Sequence, residues 1–333
     1  MEKNIKKDVV INPQIIASEG YKDYQKIRIN QNNRIRDVVR RKIEKIPMDH
    51  PEEKKERKEY LKKFQDKEII KYLYKLKSKD KITKYEFDYI SKLLGIAKET
   101  YQTEQNYKKL MDRFLKKEDI WKDWLIKIKG ISSVLGSELL RRFGYCENYV
   151  YVSKLWCHTG MSPDGAKGKK KGEGICYNPL LKTFVFNIGE SLIRQNSPYY
   201  KDFYNSCKEK ELIKSYSFDI DDKNNIVGDV LDCDIGCFKD GTKLKNDNYA
   251  KFVKEAKRLG VEKVNIRLSD GHAHSRARRK MIKVFLQHYW VVSRKIKGLP
   301  LTLPYQFDKL DHKTYDMPPF CPFTFEELFG DVV

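Results

Sequence analysis

The chain has 333 residues, with 68 Lys and Arg against 47 Asp and Glu, a formal net charge of +21 at pH 7. A charge of that size repels itself in the folded state unless an anionic partner neutralises it, and DNA or RNA is the commonest such partner. No apolar run approaches the twenty or so residues of a membrane span, so a transmembrane protein is not expected.

An AT-rich genome raises Lys everywhere, but here the positive charge clusters, at residues 34–45, 167–171 and 276–283. Such clustering is the footprint of a nucleic-acid binder. The N-terminal MEKNIKKDVVINPQ has neither an apolar core nor a small-residue cleavage site, so it does not read as a signal peptide. Seven cysteines are scattered and odd in number, which points to a reducing compartment rather than a disulfide scaffold. The expected location is therefore intracellular, cytoplasmic and nucleoid-associated.

In chain order, residues 1 to about 18 read as a loose arm. Residues 1–120 as a whole read as a basic helical region, broken at Pro47, Pro51 and near Lys77-Ser78-Lys79-Asp80. Tyr24, Ile27, Ile35, Val38 and Val39 recur at helical spacing, among Arg34, Arg36, Arg40, Arg41 and Lys42. Residues 52–67 mix opposite charges at short spacing, as on an exposed helix laced with salt bridges.

The next stretch, residues 125–160, reads LIKIKGISSVLGSELLRRFGYCENYVYVSKLWCHTG. An apolar limb (Leu125, Ile126, Ile128) leads to the turn Lys129-Gly130-Ile131-Ser132-Ser133 and then to a helix with Leu135, Leu139 and Leu140. Gly130 suits a turn that needs positive φ or close backbone approach, and Gly136 removes a side chain where two helices cross. That is the layout of a helix-hairpin-helix, whose turn offers N–H groups and a helix start to a DNA phosphate. An ordinary αα-hairpin shares the same pattern.

Further on lie a Trp-containing helix (152–159), the turn Gly160-Met161-Ser162-Pro163-Asp164-Gly165, and the basic run Lys167-Gly168-Lys169-Lys170-Lys171-Gly172. The run reads as a positive loop suited to gripping phosphates. Asn178 and Pro179 then open an apolar helix. Residues 211–265 change character and read as an insertion with β-hairpin character: strands at 215–220 and 226–231, then a helix at 248–259. From Ser269 on, Ala273, Ala277, Met281, Val284, Phe285, His288 and Val292 line one side of a helix. Arg276, Arg279, Lys280 and Lys283 line another. The tail beyond Gly298 holds five prolines and reads as an extended strap.

Taken together, Lys129-Gly130-Ile131, Phe143-Gly144, Lys154-Leu155, Gly160-Met161-Ser162-Pro163, the Gly- and Lys-rich loop, Lys182 and the closing Ala-x-x-x-Ala-Arg-Arg helix form a recognisable order. It resembles the C-terminal domain of the Piv-type, bridge-RNA-guided insertion-sequence transposases, over about residues 120–205 plus the helix near 273–292. The resemblance implies a DNA-handling domain. Two departures accompany it. The family's N-terminal RNase-H-like domain, with its catalytic Asp on a strand, has no counterpart in residues 1–120. The family's nucleophilic serine falls near Gly168, which has no hydroxyl. Ser162 is the substitute candidate, although a serine before proline in a turn is ordinarily structural.

The acidic residues Asp219, Asp221, Asp222, Asp229, Asp232 and Asp234 are the candidates for metal-dependent nuclease chemistry. Cys233, Cys237, His272 and His274 are four possible zinc ligands of suitable type, provided that His272 precedes its helix.

The expected fold is mainly α: several helices, a helix-hairpin-helix core and a small β-containing insertion. Four regions are expected, at 1–120, 121–210, 211–265 and 266–333. The expected function is DNA binding through phosphates with weak sequence preference, by a relative of transposases without strand-transfer chemistry. The residues are Lys129, Gly130, Ser132, Ser133, Lys167, Lys169, Lys170, Lys171, Arg276, Arg279, Lys280 and Lys283. An active transposase or recombinase, using Ser162 or the acidic insertion, and an RNA-binding protein are the alternatives.

Overall fold

A computed structural model describes residues 13–63, 66–163, 174–213, 215–220, 226–227, 236–237, 263–268, 270–302 and 315–330. The protein is mainly helical and divides into two compact units, Met1–Lys117 and Glu118–Val333. The first boundary lies close to the expected one at residue 120. The three regions expected beyond it belong to one unit.

In the first unit, α1 (Pro13–Glu44) and α4 (Lys84–Leu115) are long and run antiparallel. Contacts between Tyr24 and Tyr107, Arg28 and Glu104, and Lys42 and Glu86 mark successive levels along the pair. The shorter α2 (Pro51–Lys63) and α3 (Asp66–Ser78) pack onto one end. There Ile35, Val39, Ile43, Ile69, Leu73, Phe87 and Ile90 form a common core. Thr83 opens α4 with a capping box, its hydroxyl accepting from the Glu86 N–H while the Glu86 carboxylate accepts from the Thr83 N–H. Ion pairs Glu53–Lys79, Glu53–Lys81 and Glu56–Lys75 tie α2 to the end of α3 and the turn beyond it. Of the stripe read from the sequence, Ile35 and Val39 are core, whereas Ile27 is 43% exposed.

The second unit is built around α10 (Asp270–Ile296), which packs against α5 (Asp119–Asp123), α7 (Val152–His158), α8 (Pro179–Arg194) and α9 (Pro198–Ile213). Its first half is amphipathic, with Ala273, Ala277 and Met281 buried. From Phe285 to Arg294 every residue is buried, so this stretch is core on all sides. Polar groups there are satisfied internally. Trp290 Nε1 donates to the Tyr149 carbonyl (2.6 Å), and the Arg294 guanidinium donates to the carbonyls of Cys146 (2.9 Å) and Pro300 (2.9 and 3.0 Å). These bonds are what a buried cation requires.

The C-terminal segment crosses this core. Trp124 Nε1 donates to the Pro319 carbonyl (2.8 Å), and His288 Nε2 donates to the Asp316 carbonyl (2.9 Å). The tail is not extended throughout: it closes in a short helix, α11 (Phe325–Phe329), capped by Thr324.

Four short strands form an antiparallel sheet in the order β2-β1-β4-β3: β1 (Ser215–Ile220), β2 (Ile226–Val227), β3 (Gly236–Cys237) and β4 (Lys263–Leu268). In the backbone register of the β1–β4 pair, Tyr216 is opposite Ile266 and Phe218 is opposite Val264. A boundary at residue 265 therefore cuts β4, because this strand's partner is β1 rather than the helix that follows it. The expected helix at 248–259 lies outside the described residues.

Candidate nucleic-acid interface

The hairpin turn is held by the end of α8. Its first limb is α5 followed by a single 3-10 turn (Leu125–Lys127), and its second limb is α6 (Ser133–Phe143). Leu125 and Ile128 are buried and Ile126 is exposed. Gly130 has φ +103°, and a Cβ there would lie 3.2 Å from both the Leu192 Cα and the Ser191 carbonyl oxygen. Both reasons for a glycine therefore apply at this position. The Ser191 hydroxyl donates to the Gly130 carbonyl (2.6 Å), fixing the turn against α8.

Ser132 follows the turn without needing a glycine's freedom. Its φ of −77° needs none, and its hydroxyl accepts from the Leu135 N–H as the N-cap of α6. Lys129 is exposed beside the turn, and Ser133, the first residue of α6, is half-buried. Lys127 and Arg194 are also exposed, Arg194 because it closes α8, three residues beyond the serine that holds Gly130. The sequence reading missed Arg194, since 64 positions separate it from Gly130 and no local pattern connects them.

The Gly160-Met161-Ser162 turn has a structural explanation. Gly160 has φ +68° and donates to the Cys157 carbonyl, while the Met161 N–H donates to the Trp156 carbonyl (2.7 Å). This is a Schellman motif closing α7, with buried Met161 supplying its usual apolar contact. Ser162 is half-buried in that cap, its carbonyl accepting from Arg279 Nη2.

The basic face of α10 makes contacts within the protein that the sequence did not suggest. Arg276 Nη1 (3.3 Å) and Lys280 Nζ (2.6 Å) both hold the carboxylate of Glu211 in α9, which is only 2% exposed. Arg279 donates to the carbonyls of Gly160 (2.9 Å) and Ser162, pinning the α7 cap. Lys283 Nζ lies 4.3 Å from the centre of the Trp156 ring, while Trp156 Nε1 donates to the Lys283 carbonyl. Burial lowers the Lys283 pKa, and the neighbouring Arg279 charge lowers it further. The sequence could not show this, because the carboxylate and the carbonyls lie on other elements. Arg278, not singled out before, pairs with Glu190 and lies over the Phe186 ring at 4.6 Å.

Of the four zinc candidates, the two histidines are the ones whose side chains are described. His272 and His274 both lie inside α10, which begins at Asp270, so the condition that His272 precede the helix is not met. His274 Nδ1 accepts from the Tyr204 hydroxyl (2.7 Å), and its Nε2 lies 3.4 Å from Glu190. Cys237 is in β3, whereas Cys233 lies outside the described residues. Among the described residues no three His, Cys, Asp or Glu side chains form a cluster able to hold a metal. Asp219 is in β1, and the other acidic residues of the insertion, like Lys167, Lys169, Lys170 and Lys171, lie outside the described residues. No helix among the described residues is long and apolar enough to cross a membrane.

Comparison with protein-family models, curated proteins and solved structures finds no match to the chain.

Proposed function

We propose that the chain is a DNA-binding protein, related to the bridge-RNA-guided transposases through its second unit, that grips DNA through phosphate contacts without strand-transfer chemistry. The observation that carries this reading is the hairpin turn. Around it, Lys127 and Lys129 are exposed, and Arg194 is 77% exposed while its Nε lies 3.4 Å from the Glu190 carboxylate, beside a helix start and a backbone that the Ser191–Gly130 bond holds in place. A turn of this kind presents main-chain N–H groups to a phosphate, and the flanking cations add an attraction independent of sequence. The net charge of +21 supports the same partner.

In this reading the grip consists of the hairpin with Lys129, Gly130, Ser132 and Ser133, joined by Arg194 and by the loop lysines 167 and 169–171. Arg276, Arg279, Lys280 and Lys283 hold the scaffold behind it. Ser162 belongs to a helix cap, so it is not assigned as a nucleophile, and no metal is assigned a role.

The test is a gel-shift series with duplex, forked and four-way DNA and with structured RNA, each with and without magnesium. Duplex or branched DNA should be preferred over RNA, with no cleavage or joining. Lys129→Ala combined with Arg194→Ala should weaken DNA binding about tenfold and leave the melting temperature within about 2 °C, as for exposed cations whose main contact is phosphate. Preference for RNA, or unchanged affinity in this variant, would overturn the reading.

A further inference from the structure

The positive charge is concentrated in the first unit. Residues 1–117 hold 32 Lys and Arg against 19 Asp and Glu, a net +13, which leaves +8 for the 216 residues of the second unit. The hairpin grip lies in the second unit, so it leaves the larger share of the charge unexplained.

Part of that charge is neutralised within the unit. Glu53 holds Lys79 and Lys81, Glu56 holds Lys75, and Glu86 holds Lys42. The outer side of α4 differs. Lys84, Lys98, Lys109, Arg113 and the C-cap residue Lys116 fall on one line of steps of three or four residues, opposite the buried Ala97, Glu104 and Met111. All five cations are exposed and make no ion pair among the described residues. Asp88 is the only acid on the line, and the positions between are the exposed Ser91, Gly95, Gln102 and Asn106. A solvated face laced with ion pairs mixes the two signs, as α2 does; this line does not.

A hollow of about 260 Å³ opens beside the line where α3 meets α4, and Ile70, Tyr74, Phe87, Ser91, Gly95 and Lys98 border it. Tyr74 is 60% exposed and Ile70 45%. A T-shaped contact with Phe87, centroids 5.0 Å apart, holds the Tyr74 ring while most of that residue stays in solvent. Lys71, three residues before Tyr74, is exposed as well. Gly95 sits where hollow and line meet. Glycine is among the least favourable residues inside a helix. A Cβ on Gly95 would meet no atom within 4 Å, so packing within the protein does not require the glycine. Close approach by a bound molecule is the physical use of a missing side chain there.

A row of unpaired cations fits a polyanion, and its regular run along a helix fits a sugar-phosphate backbone. The exposed ring and apolar floor beside the row fit the face of a base. In a duplex the bases stack on one another and show only their edges in the grooves. A single strand can therefore use both features, and a duplex only the first.

We infer that the outer side of α4, with the hollow against α3, is a binding site for single-stranded nucleic acid. Its phosphates run along Lys98, Lys109, Arg113 and Lys116, and one base stacks on Tyr74 beside Gly95. These four cations span about 27 Å at 1.5 Å per residue, enough for several nucleotides. The site goes beyond the hairpin grip and does not depend on it.

The test is fluorescence anisotropy of the full chain with labelled oligothymidylate and oligouridylate of about 20 nucleotides, and with a duplex of the same length. Both single strands should bind, with affinities within about tenfold of each other, because phosphates and base faces are common to them. Lys98→Glu with Lys109→Glu and Arg113→Glu should lower single-strand affinity at least about tenfold, and duplex affinity less than about threefold. Tyr74→Ala should lower single-strand affinity about tenfold and Tyr74→Trp should retain it, as for a stacked base. Gly95→Gln should weaken single-strand binding yet raise the melting temperature, since glutamine favours helix and enters open space. Failure of the wild type to bind either strand, undiminished affinity in the triple variant, or a Tyr74→Ala variant equal to wild type would each overturn the inference. Equal losses for duplex and single strand in the triple variant would overturn it too, and make the line a general phosphate surface.

Discussion

Removing the two cations that hold Glu211 separates scaffold from DNA grip. Arg276→Gln with Lys280→Gln leaves the Glu211 carboxylate, 2% exposed, without either cation. Removing the cation from a buried ion pair costs up to about 3–5 kcal/mol. The lost partners are 37% and 48% exposed, so solvent already screens part of the attraction, and about 2–3 kcal/mol is the appropriate figure. The affected unit spans Glu118–Val333, and a domain of that size moves by about 2–4 °C per kcal/mol. The double variant should therefore melt about 4–12 °C lower. Adding Glu211→Gln removes the carboxylate that these cations hold and should recover most of the loss. Thermal melts followed by circular dichroism give the first quantity, and fluorescence anisotropy with labelled duplex, below both transitions, gives the second. DNA affinity should change by less than about threefold, a small perturbation on this scale. An unchanged melting temperature with affinity lost more than about tenfold would refute the reasoning and return these side chains to the DNA surface.

Three further outcomes are expected. Gly130→Ala should destabilise the second unit by about 1–3 kcal/mol, because φ +103° disfavours any L side chain and the new Cβ would press on the α8 backbone; an unchanged denaturation midpoint would contradict the described turn. Burial lowers the pKa of His288 from 6.5 to about 3, so between those values only the unfolded chain takes up the proton. Stability should be full above about pH 6.5 and fall below it by at most about 1.4 kcal/mol per pH unit, a slope that His288→Gln should flatten; a wild type whose pH profile matches the variant's would count against the neutral, buried ring. Ser162→Ala should leave folding and any DNA processing intact, since Arg279 holds the carbonyl and the turn is a helix cap; loss of strand transfer with binding preserved would identify a nucleophile.

What was legible in the sequence followed local physics. Helical periodicity placed Ala273, Ala277 and Met281 on the buried side of α10, and Gly130 pointed to a turn with positive φ and a close neighbour. Asn178 and Pro179 marked the start of α8, where the Asn178 side chain accepts from the N–H groups of Leu180 and Leu181. What escaped depends on long-range contact. The basic face of α10 looked available because Glu211, 65 positions from Arg276, gives no local sign of its burial. The Gly-Met-Ser-Pro turn, taken as a transposase feature, is also what a Schellman cap requires, and sequence alone does not separate the two. Ile27 matched a core stripe by spacing but lies on the flank of α1, because the partner helix sits to one side of that line.

The most direct test of the central claim is the affinity of the full chain for a short duplex as a function of salt. Binding through several phosphates should make log affinity fall linearly with log salt, losing about 100-fold or more between about 50 and 200 mM. Replacing Lys129, Arg194 and the four loop lysines by Ala should flatten that slope. Affinity that changes by less than about threefold over the same range would contradict a phosphate grip.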